Sequence, residues 1–480
     1  MQLPDQFIKS LQNAPAFNQV NFIAAHQQPL PITSIRLNTN KIVLDNNCFK
    51  INGNAININC IQQIQNKNNN QLNEATTSPV PWCTNGIYLS ERPSFTIDPL
   101  LHAGAYYVQE ASSMFLWQAL LQCIDIEKPL TVLDACAAPG GKSTLIQSVL
   151  HQQSVLVSNE VIKTRVPILV ENITKCGAEN VIVTNNDPKD FKKLPNFFDV
   201  IVIDAPCSGS GLFKKDANAI HEWSEQNVQL CSQRQQRIIA DLLPALKKDG
   251  ILIYSTCSYS VAENEDIADW IMAQNNVESV QLNIDADWGI VESISTQHHA
   301  YGYRFYPDKV KGEGFFIAAF KIISTTNETA AVSIKNKFEQ TTKNELMVIQ
   351  NHIQNSSQYV FIKQHEEIIA IPNALINSLS IIQANLYIKK AGITIGQIIR
   401  TDLLPHHQLA ISTLPLKNIE YIEVDVPTAL QYLRKQPIVI DTDYKGWALI
   451  THQYLPLGWI KVLPNRVNNY YPKEWRIINK

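Results

Sequence analysis

Two cysteines lie where a thiol could act as a nucleophile. Cys207 follows the apolar run at residues 199–203, and Cys257 follows the run at residues 251–255. If both runs are buried strands of an open parallel sheet, each thiol lies just past the carboxyl end of a strand, where such sheets bind ligands. One cysteine there could be a packing residue. Two of them at adjacent strand ends favour covalent catalysis by a thiolate.

A third distinctive segment follows the apolar run at residues 131–135 and leads into an amphipathic helix. It consists of Cys136, Ala137, Ala138, Pro139, Gly140, Gly141 and Lys142. Glycines at the start of a helix let backbone amides approach a ligand. Cys136 occupies the position of the first glycine of a phosphate-binding P-loop, and the glycine pattern of dinucleotide-binding folds is absent. Both differences disfavour a ligand that carries phosphates.

Two acids come near the ends of the next predicted strands. Glu160 lies about 20 residues beyond the glycines, where a carboxylate can bind both ribose hydroxyls. Asp187 closes the next predicted strand, which begins at Val181, and lies within reach of an adenine amino group. Acids near strand ends are common, so both could also be ordinary loop residues. With the loop, they favour a ligand that has a nucleoside but no phosphate, and we predict S-adenosylmethionine as the cofactor.

A methyl donor beside two thiols indicates one particular chemistry. Carbon 5 of cytosine is not nucleophilic, but a thiolate that adds to carbon 6 pushes electron density onto carbon 5. Asp204 would stabilise or protonate N3 as charge builds there. A base must then remove the carbon 5 proton so that the adduct collapses. The two cysteines therefore have two natural roles, attack and release, and the residues alone do not rank Cys207 against Cys257.

The elements that must position these residues are short apolar runs alternating with amphipathic stretches. The five runs are residues 131–135, 154–158, 180–184, 199–203 and 251–255. This alternation predicts an α/β fold with a doubly wound parallel sheet. Residues 247–250 predict a helix end with a glycine cap. Residues 260–263 predict a helix start with a capping box between Ser260 and Glu263.

The motifs resemble a known family. Residues 134–142, 204–209 and 255–258 are similar to the signature blocks of the NOL/NOP/Sun (Fmu) family of RNA cytosine-C5 methyltransferases, and the resemblance extends from about Ser34 to Lys321. It implies a Rossmann-like class I methyltransferase fold, with Cys257 as the nucleophile and Cys207 as the residue that assists breakdown of the adduct. It assigns residues 136–142, Glu160, Asp187 and Asp204 to the cofactor pocket. Lys142 and Asp204 would also reach towards the target base.

The C-terminal region adds a second resemblance. Residues 458–461 and 465–476 are similar to the PUA-like module of bacterial 16S rRNA cytosine-C5 methyltransferases, and residues 391–393 and 404–407 are similar to the segment before it. The resemblance implies 16S rRNA, free or in the 30S subunit, as the substrate. Two alternatives stay open: the same chemistry on tRNA or large-subunit rRNA, and a ribosome-assembly factor that binds RNA without catalysis.

Basic residues in two places are candidate RNA contacts. Lys214 and Lys215 follow the Cys207 turn, and the last twenty residues mix aromatic side chains with Arg466, Lys473 and Arg476. Cations interleaved with aromatic rings suit phosphate contact and base stacking. Solvated surface charges are the alternative interpretation.

Length and composition set the remaining expectations. The chain has 480 residues, 45% of them apolar, and a net charge of -3, which favours no particular partner. We expect a small α+β RNA-contacting domain (residues 1–100), a methyltransferase domain (101–322), a linker (323–344), a pre-PUA segment (345–404) and a β-rich PUA-like domain (405–480). No apolar run is long enough to span a bilayer. We expect a cytoplasmic monomer that binds no metal, because the cysteines lack zinc-ligand spacing and His406-His407 lacks further ligands.

Overall fold

The computed structural model describes residues 3–28, 32–45, 48–51, 54–56, 77–274, 276–324 and 338–478. Its described N-terminal part begins with the helices Asp5–Ser10 and Gln19–Gln27. Seven strands follow, numbered β1 to β7: Thr33–Leu37, Val43–Asp45, Cys48–Ile51, Asn54–Ile56, Thr77–Val80, Cys83–Leu89 and Tyr106–Val108. Four of them form a sheet in the order β5-β6-β1-β7, and β2-β3-β4 form another. Because β7 belongs to the first sheet, this sheet extends beyond residue 100. Most of the Asn-rich stretch at residues 46–73 lies outside the described residues.

A ten-stranded sheet forms the centre of the structure. Its first nine strands are β8 to β16: Thr131–Asp134, Val155–Asn159, Val181–Thr184, Phe198–Asp204, Leu246–Thr256, Val277–Val280, Val291–Ile294, Tyr301–Phe305 and Phe315–Ile322. The first five of these are parallel neighbours in the order β12-β11-β8-β9-β10. The predicted doubly wound parallel sheet is therefore confirmed. On the far side of β12, the sheet continues with the antiparallel strand β16.

Helices cover both faces of the central sheet. They are Leu116–Cys123, Gly141–Val149, Val166–Cys176, Glu225–Leu242 and Glu265–Met272. The short helix Pro99–His102 instead packs between the N-terminal and C-terminal parts, and the helix Ala217–Glu222 packs against the two N-terminal helices. Along β8, Val132 packs in one apolar cluster with the helices Gly141–Val149 and Val166–Cys176. Leu133 packs in another with the helices Glu225–Leu242 and Glu265–Met272. Since successive side chains of a strand point to opposite faces, a run that is apolar throughout is what a sheet covered on both sides requires.

Two predicted helix boundaries are wrong. Residues 247–250 do not end a helix; they lie within β12, whose first residue pairs with Phe198 of β11. The left-handed backbone there belongs to Asp249, at φ 62°, rather than to Gly250. Residues 261–263 form a short 3-10 helix, and the side chain of Ser260 makes no capping hydrogen bond. The helix itself starts at Glu265.

The C-terminal part contains the helices Lys343–His352, Ile376–Asn385, His407–Ile411 and Val426–Leu433. Its strands, β17 to β26, are Glu339–Gln340, Tyr359–Gln364, Glu367–Pro372, Ile388–Ala391, Ile393–Ile399, Asp402–Pro405, Glu420–Glu423, Gly446–His452, Leu455–Leu463 and Arg466–Asn469. One sheet has the order β17-β18-β19-β21-β22, and another the order β23-β24-β25-β26. The strand β20 instead joins the central sheet, antiparallel to β10. The predicted linker at residues 323–344 contains β17 and a helix start, and its residues 325–337 lie outside the described residues.

The N-terminal and C-terminal parts pack against each other. One apolar cluster combines Ile35 and Leu100 with Tyr432, Leu457 and Ile460. The helix Val166–Cys176 of the central sheet also contacts the helix His407–Ile411.

Lys41 connects three regions of the chain at this junction. Its Nζ donates hydrogen bonds to the carbonyl oxygens of Ala103 (2.8 Å), Lys175 (2.8 Å) and Ile411 (2.6 Å). Burial lowers the pKa of Lys41 to about 8. The three carbonyl oxygens compensate the desolvated ammonium. Through them, Lys41 links the N-terminal part, the central sheet and the C-terminal part.

A buried ion pair supports the strand and helix beside the β12 turn. Arg304 of β15 is 1% exposed and Glu265, the first residue of its helix, is 4% exposed. The Arg304 Nε donates to Glu265 Oε1 at 2.6 Å, the Arg304 Nη2 donates to Glu265 Oε2, and Ser293 donates to the same carboxylate at 2.7 Å. Removing one partner of such a pair leaves the other charge buried without compensation.

We predict that Glu265→Gln lowers the free energy of unfolding by roughly 3 kcal/mol, because the Arg304 guanidinium then stays buried without a counter-charge. Urea unfolding followed by circular dichroism measures the change. Asp125→Asn is the matched control, since its partner Lys128 is 72% exposed, and it should leave the unfolding midpoint unchanged. Equal midpoints for Glu265→Gln and Asp125→Asn would show that the buried pair contributes nothing.

Candidate active site

The candidate residues converge on one edge of the central sheet. The cofactor loop follows β8, Glu160 follows β9, Asp187 follows β10, Asp204 ends β11 and Cys257 follows β12. Since these five strands are parallel neighbours, their carboxyl ends meet at the same edge, where open α/β sheets bind their ligands. Lys214 and Lys215 also lie past the end of β11. Arg466, Lys473 and Arg476 lie elsewhere, on the C-terminal sheet and the 3-10 helix beside it.

The sulfur atoms of Cys207 and Cys257 are 3.0 Å apart. Backbone contacts hold their two turns together: the Gly211 N–H donates to the Cys257 carbonyl at 2.9 Å, and the Tyr259 N–H donates to the Ser210 hydroxyl at 3.0 Å. A Cβ at Gly211 would lie 2.8 Å from the Cys257 carbonyl oxygen. The close approach of the two turns therefore requires glycine at position 211.

The two thiols have different surroundings. The hydrogen bond to Cys257 is the main cause that raises the pKa of Cys207 well above its ordinary value, and burial and the charge of Glu263 add to it. Burial alone would lower the pKa of Lys142, but the charges of Asp204, Cys257 and Asp134 raise it. An anion is thus close to Cys207 and a cation is close to Cys257. The two sulfurs are therefore not equivalent, and the raised pKa of Cys207 favours its protonated thiol form.

Lys142 and Asp204 form an ion pair between the cofactor loop and the two-cysteine turns. The Lys142 Nζ is 2.8 Å from Asp204 Oδ2, and the Ser255 hydroxyl donates to Asp204 Oδ1 at 2.9 Å. The Lys142 Nζ also lies 5.3 Å from the centre of the Phe315 ring. Both side chains are partly exposed at the edge of the sheet, so a planar base could reach them together with the sulfurs.

The cofactor loop turns sharply at its glycines. Gly140 has φ 118°, in the left-handed region that disfavours residues with a Cβ, and the helix Gly141–Val149 begins directly after it. The Ala137 N–H donates to the Asn159 carbonyl at 2.8 Å, which holds the loop against the end of β9. Cys136 and Gly141 are half-buried and Ala137, Ala138 and Gly140 are buried, whereas Pro139 is exposed.

Two carboxylates beside this loop have oxygen atoms without hydrogen-bond donors. Glu160 is 2% exposed, and its Oε1 accepts from the Ile162 N–H at 2.7 Å. Within the described part of the chain, its Oε2 has no hydrogen-bond donor; the Arg165 guanidinium lies 3.3 Å away, outside hydrogen-bond geometry. Asp134 accepts from the Ser143 hydroxyl at 2.6 Å through Oδ2, and its Oδ1 has no partner among the described residues. Buried oxygens of this kind need donors. A ribose diol and an ammonium group would supply them, so the residues fit S-adenosylmethionine.

Asp187 lies three residues beyond the end of β10 rather than in the strand. It is half-buried and caps the 3-10 helix Pro188–Lys193, where it accepts from the Lys189 N–H at 3.1 Å. The neighbouring Asn186 exchanges hydrogen bonds with the backbone of Tyr387, at the start of β20. The C-terminal part thus borders the adenine end of the predicted pocket.

Two site residues were missed by the sequence interpretation. Asp134 closes β8 directly before the loop, and burial raises its pKa to about 7; its place at a strand end, the signal used for Glu160, could have identified it. Glu263 was assigned to a capping box. Its carboxylate instead accepts hydrogen bonds from Ser208 and Ser258, next to the two cysteines, and no local pattern indicates those contacts.

The candidate RNA-binding residues are accessible to different degrees. Lys215, Arg466, Lys473 and Arg476 are exposed, and Lys214 is half-buried. Near Arg466, the rings of Trp447 and Tyr470 are 4.4 Å apart, and the Lys461 ammonium lies 5.2 Å from the Trp447 ring. The described C-terminal surface thus combines cations with aromatic rings.

The described residues contain no group of three or more His, Cys, Asp or Glu side chains that could hold a metal ion. His406 caps a helix, and His407 is buried between the rings of Tyr471 and Trp475. In the part of the chain that the structure describes, no helix has both the length and the apolar character needed to cross a membrane.

Three family models match the chain. The model of 16S rRNA methyltransferase RsmB/F matches residues 121–321, the model of the RsmF PUA domain matches residues 420–477, and the model of the RsmF N-terminal domain matches residues 46–111. Together they extend from residue 46 to residue 477, and residues 322–419 lie outside the three matches.

Curated relatives match over nearly the whole length. The ribosomal RNA small subunit methyltransferase F of Vibrio vulnificus (strain YJ016) is 28% identical over 98% of this chain and 97% of its own length. The protein of the same name from Vibrio parahaemolyticus is 29% identical, also over 98% and 97%. The one from Pectobacterium atrosepticum is 33% identical over 66% of this chain and 62% of its own length.

Solved structures share the fold. A methyltransferase homolog protein from Pyrococcus horikoshii has a TM-score of 0.50 and 27% identity, covering 67% of this chain and 100% of that chain. NSun6 from Pyrococcus horikoshii with SFG has a TM-score of 0.53 and 18% identity, covering 67% of this chain and 98% of that one. The family models and the curated relatives together lead to one conclusion: the chain belongs to the RsmB/F family of 16S rRNA methyltransferases, S-adenosylmethionine-dependent enzymes that methylate cytosine at carbon 5.

Proposed function

We propose that this chain methylates carbon 5 of a cytosine in 16S rRNA, with Cys257 as the nucleophile and Cys207 as the residue that assists release. The observation that carries the proposal is the 3.0 Å separation of the two sulfurs beside the Lys142–Asp204 ion pair. Relatives that match 97% of their own length are named as methyltransferases of small-subunit rRNA. A factor that only binds RNA would need neither thiol.

The attack step follows from the charges around the sulfurs. The Cys257 thiol loses its proton to water, and its sulfur, near the Lys142 ammonium, adds an electron pair to carbon 6, so that the displaced π electrons make carbon 5 nucleophilic. The Lys142 ammonium stabilises the negative charge that builds at N3, and Asp204 orients that ammonium through their 2.8 Å ion pair. When bound beside Glu160 and Asp134, S-adenosylmethionine supplies an electrophilic methyl group, which carbon 5 takes up.

The release step follows from the change at Cys257. Once its sulfur is bonded to carbon 6, the Cys257 charge and hydrogen bond no longer raise the pKa of Cys207. Cys207 can then give its thiol proton to water and accept the proton from carbon 5. The electrons of that C–H bond restore the ring double bond and expel the Cys257 sulfur. The same residue is thus a poor base before the adduct forms and a better one afterwards.

The domains have separate roles in the proposal. The N-terminal part (residues 1–100) and the PUA-like part (405–480) contact RNA, residues 101–322 hold cofactor and base, and residues 345–404 connect them beyond the 323–344 linker. Lys214, Lys215, Arg466, Lys473 and Arg476 contact phosphates.

We also propose a cytoplasmic monomer, because rRNA is cytoplasmic in bacteria and one chain carries the whole two-cysteine site. Light scattering that gave a multiple of the single-chain mass would refute the monomer.

We predict that labelled donor methylates 16S rRNA, naked or within 30S subunits, and not tRNA or 23S rRNA, when the substrates are assayed in parallel.

Replacing Arg466, Lys473 and Arg476 with alanine should raise the RNA KM and reduce the slope of log KM against log salt by roughly two, with kcat unchanged. The control replaces three exposed basic residues elsewhere on the surface, Lys128, Lys248 and Lys343, with alanine. Label in tRNA alone would refute the substrate, and equal slopes in both triple variants would refute the phosphate contacts.

We predict that Cys257→Ala abolishes methyl transfer but binds S-adenosylmethionine with unchanged affinity, because no thiol is needed to hold the donor. Turnover with labelled donor and calorimetric titration measure the two quantities. The half-buried Cys123, outside the site, provides the control Cys123→Ala, which should keep full activity. Normal turnover by Cys257→Ala would mean that another group attacks.

We predict that Cys207→Ala accumulates a covalent protein–RNA adduct that survives denaturing gels, since attack by Cys257 continues while release stalls. The adduct should require both RNA and donor. The double variant Cys207→Ala/Cys257→Ala should form none. A single variant that releases its product without any retarded band would remove Cys207 from the release step.

A further inference from the structure

Glu263 lies between the two cysteine turns and is bonded to both. It is 0% exposed. Its Oε1 accepts from the Ser208 N–H at 2.7 Å, and its Oε2 accepts from the Ser208 hydroxyl at 2.6 Å and the Ser258 hydroxyl at 2.5 Å. Ser208 directly follows Cys207, and Ser258 directly follows Cys257. One carboxylate therefore joins the two turns, in addition to the Gly211–Cys257 and Tyr259–Ser210 hydrogen bonds that hold them directly.

Neighbouring contacts hold Glu263 itself in place. The Tyr254 hydroxyl, on β12, donates to the Glu263 carbonyl at 2.6 Å. The next residue, Asn264, accepts from the Thr256 hydroxyl at 2.6 Å and donates to the Ser258 carbonyl at 2.8 Å. Hydrogen bonds before and after Cys257 therefore hold its turn in place. Among these residues, Glu263 also binds the Cys207 turn, through Ser208.

Glu263 also brings a charge to one side of the sulfur pair. Burial raises the pKa of Glu263, and the hydrogen bonds from Ser208 and Ser258 act in the opposite direction by stabilising the carboxylate. The groups that act on Cys207 are Cys257 and Glu263, while Lys142, paired with Asp204, acts on Cys257. A carboxylate near one sulfur and an ammonium near the other make the two thiols unequal.

We propose that Glu263 is a positioning residue of the two-cysteine site: its buried carboxylate binds Ser208 and Ser258 and so helps to fix the separation of the two sulfurs. The inference rests on the roles proposed above for Cys207 and Cys257. Glu263 touches neither base nor donor, and it acts only through the two turns. Its loss should therefore change the acidity of Cys207 and the rate of reaction without changing the affinity for either substrate.

Two substitutions separate charge from geometry. Glu263→Gln keeps the size of the side chain and removes the charge, whereas Glu263→Asp keeps the charge and is one methylene too short to reach both serines. For the full-length protein, iodoacetamide labelling of Cys207 and Cys257 is followed against pH by peptide mass spectrometry. In Glu263→Gln, Cys207 should react at lower pH than in the parent, and kcat should fall about a hundredfold with RNA KM unchanged. In Glu263→Asp, kcat should fall comparably, because the turns separate.

Controls keep the test decisive. Glu278→Gln, at an exposed position of β13, should match the parent in labelling and kcat. If Glu263→Gln does not fold, Ser208→Ala and Ser258→Ala each remove one hydroxyl from the carboxylate, and each should lower kcat about tenfold. Folded Glu263→Gln with an unchanged Cys207 labelling profile overturns the inference. Labelling needs no methyl transfer, so failure of the proposed function, seen as turnover by Cys257→Ala, remains distinguishable from failure of the Glu263 role.

Discussion

The parallel pairing of β11 with β12 is the constraint on which the site depends. Its register sets Asp204 opposite Ser255, so that Cys207 and Cys257 follow at nearly equal distances from the same edge of the sheet. The Ser255 hydroxyl also donates a hydrogen bond to the Asp204 carboxylate, so that side chains reinforce the pairing of these two residues. The close sulfur approach is a consequence: two turns that leave neighbouring strands at the same level have little space in which to diverge. Gly211 removes the side chain that would otherwise separate them.

The site concentrates polar groups that would be costly in an ordinary core. Asp134, Glu160 and Glu263 are all buried carboxylates within one edge of the sheet. A buried carboxylate is tolerated where hydrogen-bond donors compensate its charge. A carboxylate whose oxygens all have donors is typical of a structural role, and one with an oxygen that lacks a donor is a candidate for ligand binding. Glu263 is fully bonded and belongs to the framework. Asp134 and Glu160 each keep one oxygen without a donor, which suits residues that await a ligand.

The remaining domains are built onto this sheet rather than attached loosely to it. The strand β20 extends the sheet from a segment more than 200 residues after β10, and it places the Tyr387 backbone against Asn186, next to Asp187 of the predicted cofactor pocket. On the other side, Lys41 and a shared apolar cluster connect the N-terminal sheet to the C-terminal domain. RNA held by the terminal domains would therefore stand in a defined relation to the sulfurs.

The sequence by itself determined where the five parallel strands of the central sheet lie along the chain and which residues occupy the loops that follow them. The apolar runs, the glycine loop at residues 136–142 and the acid Glu160 are local patterns, and each depends on the few residues around it. The helix start at Ser260 was wrong because a serine and a glutamate three positions apart can form a capping box, but Glu263 binds Ser208, which is 55 residues away. The helix end at residues 247–250 was wrong because pairing with Phe198 extends β12 through them. Tertiary structure alone decided how close the two sulfurs lie and which charged groups surround them, since strand register and the placement of Glu263 and Lys142 arise from contacts between distant parts of the chain.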